Sequence, residues 1–162
     1  MRAKQSGFSL IELLIVVAVI LVIAAIAIPN LLRSRMAANE ASAVASLRSI
    51  NTSQVVYQST YDNSYAPTLT ALSDGGTPAN CVSPSIPTST SSCLIDAALA
   101  TGNKSGYIFT YSPSSGASIT TYTVNGDPIS SGASGQRHFY TDQSNVIRAN
   151  VTAAASNTDP SI

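Results

Sequence analysis

The sequence predicts an α+β fold in which a long N-terminal α-helix, apolar enough in its first half to cross a membrane, packs by its second half on a small antiparallel β-sheet. Three observations predict it. Sixteen uninterrupted apolar residues run from Leu13 to Ile28. An amphipathic stripe at helical spacing follows, from Ala43 to Tyr61. The C-terminal third then holds short segments rich in aromatic and β-branched residues, separated by turn formers. A helix laid across such a sheet buries the apolar face of each.

The first element is a basic leader, Met1-Arg-Ala-Lys-Gln-Ser-Gly7, ahead of Phe8-Ser-Leu-Ile-Glu12. From Phe8 to Ile28 is 21 residues, about 31 Å of helix at roughly 1.5 Å per residue, which matches a hydrocarbon core of about 30 Å. A secretory signal peptide fits poorly, because such peptides end their shorter apolar stretch in a small-residue cleavage site and Ile26-Ala-Ile-Pro-Asn30 does not supply one. Glu12 stands at the head of this run, and an ionised carboxylate in hydrocarbon is costly enough to mark a functional residue. A cut between Gly7 and Phe8 creates an α-amine close in sequence to Glu12, so that in an assembly of identical helices the acid of one copy meets the amine of another. Arg2 and Lys4 hold the N-terminus in the cytoplasm and send everything after Asn30 to the other side, although Arg33 and Arg35 weaken the bias.

Pro29 cannot donate its backbone N–H, so a helix break or kink is expected there. Ala43, Leu47, Ile50, Gln54, Tyr57 and Tyr61 then recur at steps of three and four on one helical face, with Arg48, Asn51, Thr52 and Ser59 on the other. One helix is expected from Phe8 to about Tyr61. Beyond it come a short helical turn at Leu69–Leu72, a Ser/Thr/Pro-rich loop and a second short helix at Leu94–Ala100. Strands are expected at Tyr107–Tyr111, Ile119–Val124, Arg137–Thr141 and Val146–Ala149, with turns at Asn125-Gly-Asp-Pro128 and Asp142-Gln-Ser-Asn145. Residues 152–162 lack periodicity and read as a loosely held tail.

Cys81 and Cys93 are the two cysteines, twelve positions apart, and a single pair outside the cytoplasm is most simply a disulfide. The lone histidine, His138, is far from them and no Cys-x-x-Cys spacing exists, so zinc lacks ligands. The Asp142–Asn145 turn offers oxygens without the dense acidic cluster that calcium prefers. No metal or other cofactor is assigned. Phosphate loops, nucleophile elbows and metal-binding helices are absent from the sequence, which reads as a non-enzyme with no evident small-molecule substrate. Eight basic side chains balance eight acidic ones, and loss of Arg2 and Lys4 leaves a mildly acidic chain, not a nucleic-acid-binding one.

Gly7-Phe-Ser-Leu-Ile-Glu12-Leu-Leu14, with its short basic leader and Ala27-Ile-Pro-Asn30 closing the apolar run, resembles the prepilin signature of type IV pilins, in the manner of the type IVa subgroup. The resemblance covers roughly the first sixty residues and implies a pilin-like fold. It also implies three domain segments: a leader at 1–7, a transmembrane and assembly half-helix at 8–30, and a head at 31–162 that includes the rest of the helix. Gly7 is then the residue before the prepilin peptidase cut, Phe8 the methylated new N-terminus, and Glu12 the assembly residue. The implied partners are other copies of the chain, the peptidase and the pilus assembly machinery of the bacterial inner membrane. That membrane holds the precursor before the mature subunit enters an extracellular filament for adhesion, motility or DNA uptake. A pseudopilin of a type II secretion system shares the same N-terminal signature and is the alternative. The cysteine pair departs from a frequent pilin pattern, since it lies between the long helix and the sheet rather than near the C-terminus.

Overall fold

The structure, a computed structural model, describes residues 8–62, 64–82, 86–116 and 118–162; the leader, and Gly7 with it, lies outside the described residues. Helix α1 runs Leu10–Thr60. The chain divides into two compact units within that helix, Met1–Arg35 and Met36–Ile162, and each is taken by itself.

In the first unit the helix is bare. Leu10, Ile11, Leu13, Leu14 and the large apolar residues that follow as far as Leu32 are exposed, and no part of the most apolar 18-residue window is buried. α1 runs through Pro29, which lies inside the helix, so the chain does not leave helical structure there. A proline in an apolar helix removes one donor, not a whole turn, and the turns on either side keep their bonds. Asn30 adds one more: its Nδ2 donates to the Ile26 carbonyl at 3.1 Å.

In the second unit the remainder of α1 carries the stripe legible in the sequence. Ala43, Leu47, Ile50, Gln54 and Tyr57 are buried, and Tyr61 is half-buried. They pack on an antiparallel sheet of five strands in sequential order: β1 (Asn103–Lys104), β2 (Tyr107–Pro113), β3 (Tyr122–Pro128), β4 (His138–Asp142) and β5 (Arg148–Asn150). Alternate residues of the three central strands point at the helix. Tyr107 and Phe109, Tyr122 and Val124, and Phe139 and Thr141 are buried, whereas Thr110, Asp127 and His138 face away. Two short helices complete the core with Leu72 and Leu99. Helix α2 (Leu69–Leu72) is capped by the Thr68 hydroxyl, which accepts from the Ala71 N–H at 3.1 Å. Helix α3 (Ala97–Ala100) is capped by Asp96, whose Oδ1 accepts from the Leu99 N–H at 2.8 Å.

Several expectations are corrected. The second short helix starts only after Asp96, because that residue caps it. The strand expected at Ile119–Val124 begins at Tyr122 and absorbs Asn125-Gly-Asp-Pro128, which pairs with Thr110, Phe109, Ile108 and Tyr107 in register. Gly126 is there for space: a Cβ at that position would come within 3.3 Å of the Phe109 ring. The reversal before β3 lies at Ser114 to Thr121, where the Ser114 N–H donates to the Thr121 carbonyl at 2.9 Å. Asp142–Asn145 is a turn as expected, closed by Asn145 N–H to Asp142 O at 2.9 Å.

The C-terminal tail is not loose. Ile162 N–H donates to Ile147 O at 3.0 Å and Ala149 N–H to Pro160 O at 3.1 Å, so the last residues extend the sheet beyond β5. Asn125 Nδ2 holds the Ala155 carbonyl at 2.9 Å over the sheet's outer face, and Ala155 is buried. Asn51, expected on the open face of α1, is buried as well. Its Nδ2 donates to Thr141 Oγ1 at 2.8 Å and its Oδ1 accepts from the Tyr122 hydroxyl at 3.1 Å. A buried amide is tolerated when its donors and acceptors are met.

Glu40 ties α1 to the segment ahead of β4. Its carboxylate accepts from the Gln136 N–H at 2.9 Å, the Arg137 N–H at 3.2 Å and Arg137 Nε at 2.7 Å. Burial pushes its pKa up, but these hydrogen bonds outweigh burial and hold it below the ordinary 4.5. A carboxyl depressed on folding stabilises the fold above its unfolded pKa, and that contribution is lost as pH falls through the folded value. Thermal melts of the full chain in detergent are expected to weaken as pH drops below about 4.5, and Glu40→Gln is expected to flatten that dependence, with a lower melting temperature at neutral pH.

Candidate functional site: the start of the helix and the stapled loop

Of the residues singled out in the sequence, Phe8 and Glu12 lie together at the start of α1, while Cys81 and Cys93 belong to the second unit. Ser9 precedes the first helical residue, and its carbonyl accepts the first helical bond, from the Leu13 N–H at 3.2 Å. Three residues on, Glu12 reaches back so that its Oε2 accepts from the Ser9 N–H at 3.1 Å. Ser-x-x-Glu with this contact is one arm of a capping box. The carboxylate therefore has a partner within its own chain, and it sits where the helix macrodipole favours negative charge.

Ser9 is the functional residue that reasoning from apolar burial misses, although its spacing to Glu12 is legible. Phe8 and Glu12 are both exposed, Phe8 to 79%. Removal of the residues before Phe8 turns its amide into an ammonium group next to the Ser9 N–H that Glu12 already engages. The surroundings are apolar along the helix beyond: Leu13 through Ile28 offers no polar side chain, so Glu12 is the one charged side chain from Phe8 to Ile28.

The second feature is the staple. Cys81 ends a short 3-10 turn, Pro78–Cys81, and is joined to Cys93 by a disulfide. The returning strand of the loop is fixed by backbone bonds to the end of α2. Ser92 N–H donates to Ala71 O, Cys93 N–H to Ser73 O, and Leu94 and Ile95 N–H both to Leu72 O, at 2.7 to 3.0 Å. Cys93 takes a positive φ of 57°, a conformation uncommon for a side chain of its type. The loop ahead of it presents Val82 and Ile86 to solvent, 63% and 83% exposed.

Replacing both cysteines with serine is expected to lower the stability of this unit by about 3 kcal/mol, the loop-closure value for a loop of this size. The bonds to 71–73 keep residues 92–95 in place, so proteolysis of the non-reduced and doubly substituted proteins should differ only between 82 and 91.

Among the described residues no group of three or more His, Cys, Asp or Glu side chains is placed to hold a metal. His138 Nδ1 meets Asp127 Oδ1 at 2.6 Å on the outer sheet face.

Residues 2–28 match the family model of the prokaryotic N-terminal methylation motif. The chain is 45% identical over 80 residues to the type IV wide pilus major component PilA4 of Thermus thermophilus, a match covering 48% of this chain and 60% of that protein. The chain thus spans less than two thirds of that relative's length. No solved structure matches it. The chain thus carries a prokaryotic N-terminal methylation motif over residues 2–28, is similar over about half its length to a type IV pilus component, and joins these to a long helix and an antiparallel sheet.

Proposed function

We propose that the chain is the structural subunit of a type IV pilus. In this reading prepilin peptidase removes residues 1–7, Phe8 becomes the methylated N-terminus, and the segment 8–30 holds the subunit in the inner membrane, N-terminus inward. Residues 31–162 then stand outside it, and the assembly machinery moves the apolar helix from lipid into a filament of identical copies. The observation that carries the reading is the bare helix with Glu12 at its start. Its exposed apolar surface, from Leu10 to Leu32, has no partner among the described residues, and such a surface demands either lipid or other copies. The relative from Thermus thermophilus is a pilus component, which supports the pilus over a secretion pseudopilus.

The test is the composition of filaments sheared from the cell surface. This chain as their main protein supports the reading; its absence from them, with the chain confined to the membrane, contradicts it.

A further inference from the structure

Among the described residues of the second unit, two charged side chains have no partner. Glu40 holds Arg137, Asp96 holds Lys104 at 2.6 Å, and Asp127 meets His138. Asp74 accepts from Ser73 and the Gly76 N–H, Asp142 from the Ser144 N–H and Tyr140, and Asp159 from Asn150 and Ser156. Arg148 donates to the Asp159 carbonyl. Only Arg48 and Asp62, both exposed, make no side-chain hydrogen bond or ion pair among the described residues of this unit.

They cannot serve one another. Arg48 lies twelve residues before Thr60, the end of α1, which is about 18 Å at the helical rise, and Asp62 lies beyond that. The surface between them is mixed, with Val55 and Val56 exposed beside the hydroxyls of Thr52 and Ser59. Arg48, Asn51, Thr52, Val55, Val56 and Asn145 line an open groove of about 460 Å³, and Val55 and Val56 are 48% and 41% exposed. The pattern is a weakly polar strip, two valines among hydroxyls, with a cation toward one end and an anion past the other. That arrangement is complementary to a shifted copy of itself.

We propose that this face of α1 is a contact between copies, in which Arg48 of one subunit pairs with Asp62 of another while the valines are covered between them. The inference rests on the filament reading and deepens it by naming a register. In parallel copies the pair sets an axial offset of about 20 Å, whereas Glu12 against Phe8 sets one of about 6 Å at 1.5 Å per residue. Arg48 therefore engages a copy further along the filament than the one met by Glu12. The pair selects which neighbours dock, as complementary charges at an interface do.

The experiment is charge reversal in cells carrying the variant as the sole copy, reading sheared filament against mature subunit in the membrane. Arg48→Glu and Asp62→Arg are each expected to reduce filaments at least tenfold at an unchanged membrane pool, and the double reversal to restore them to within about twofold. Wild-type filament yield from either single variant overturns the pairing. So does a double reversal that fails to recover, or recovery of Asp62→Arg by Arg33→Glu or Arg35→Glu in place of Arg48→Glu. Each of these outcomes leaves the subunit reading standing, since wild-type filaments would still be made of this chain; wild-type filaments lacking it would overturn the reading itself.

Discussion

Glu12→Ala is expected to abolish filaments while leaving cleavage, membrane insertion and the fold of the second unit intact. In the single chain Glu12 accepts from the Ser9 N–H, so alanine removes part of a cap, which costs a helix end about 1 kcal/mol. That is too little to matter to a helix held in a membrane or a filament. The greater loss is electrostatic. In the proposed filament the Phe8 ammonium of an adjacent copy would lie among apolar helices in which Glu12 is the one carboxylate from Phe8 to Ile28. Breaking a buried pair by removing one partner costs about 3–5 kcal/mol, and at about 1.4 kcal/mol per tenfold this lowers the equilibrium for adding a subunit by roughly two to three and a half orders of magnitude.

Glu12→Gln separates the two roles. Glutamine preserves the cap, since the motif accepts it equally, but carries no charge. Filaments are expected to be lost in both variants. Filaments lost in Glu12→Ala and kept in Glu12→Gln would assign Glu12 to the cap alone.

Gly7→Val is expected to give the second large effect. A peptidase at the membrane face must bring extended backbone close to its catalytic groups, and glycine is the residue that permits close approach. A branched side chain there should leave the precursor uncut. The consequence reaches Glu12: with residues 1–7 attached, the Phe8 nitrogen is a neutral amide and the pair with Glu12 cannot form. Gly7→Val is therefore expected to give no filaments and a membrane pool retaining the leader, read as the intact mass of the subunit. Filaments built of uncut chain would break the link between processing and assembly.

What the sequence makes legible is local. The stripe from Ala43 to Tyr57 follows from helical spacing, α2 from its apolar turn after Thr68, and the Cys81–Cys93 bond from there being a single cysteine pair. What escapes it is set by distant partners. Asn51 reads as a solvent-facing residue until Thr141 and Tyr122, ninety and seventy-one positions away, supply its hydrogen bonds. Asn125-Gly-Asp-Pro128 has the composition of a turn, yet Gly126 is small because the Phe109 ring of the neighbouring strand lies over it. The tail shows no periodicity because backbone bonds to Ile147 and Ala149 hold it, and these are blind to side-chain pattern. Ser9 is the converse: its three-residue spacing to Glu12 is a local signal, visible in the sequence and realised in the structure.

The claim that this chain is cut, charged at its new N-terminus and then assembled is tested most directly by the intact mass and N-terminal fragmentation of the subunit in sheared filaments. The account predicts a chain that begins at Phe8, carries one methyl group on its α-amine and retains Cys81 and Cys93 as a disulfide. A subunit that begins at Met1, or at a residue after Ala27, would contradict it.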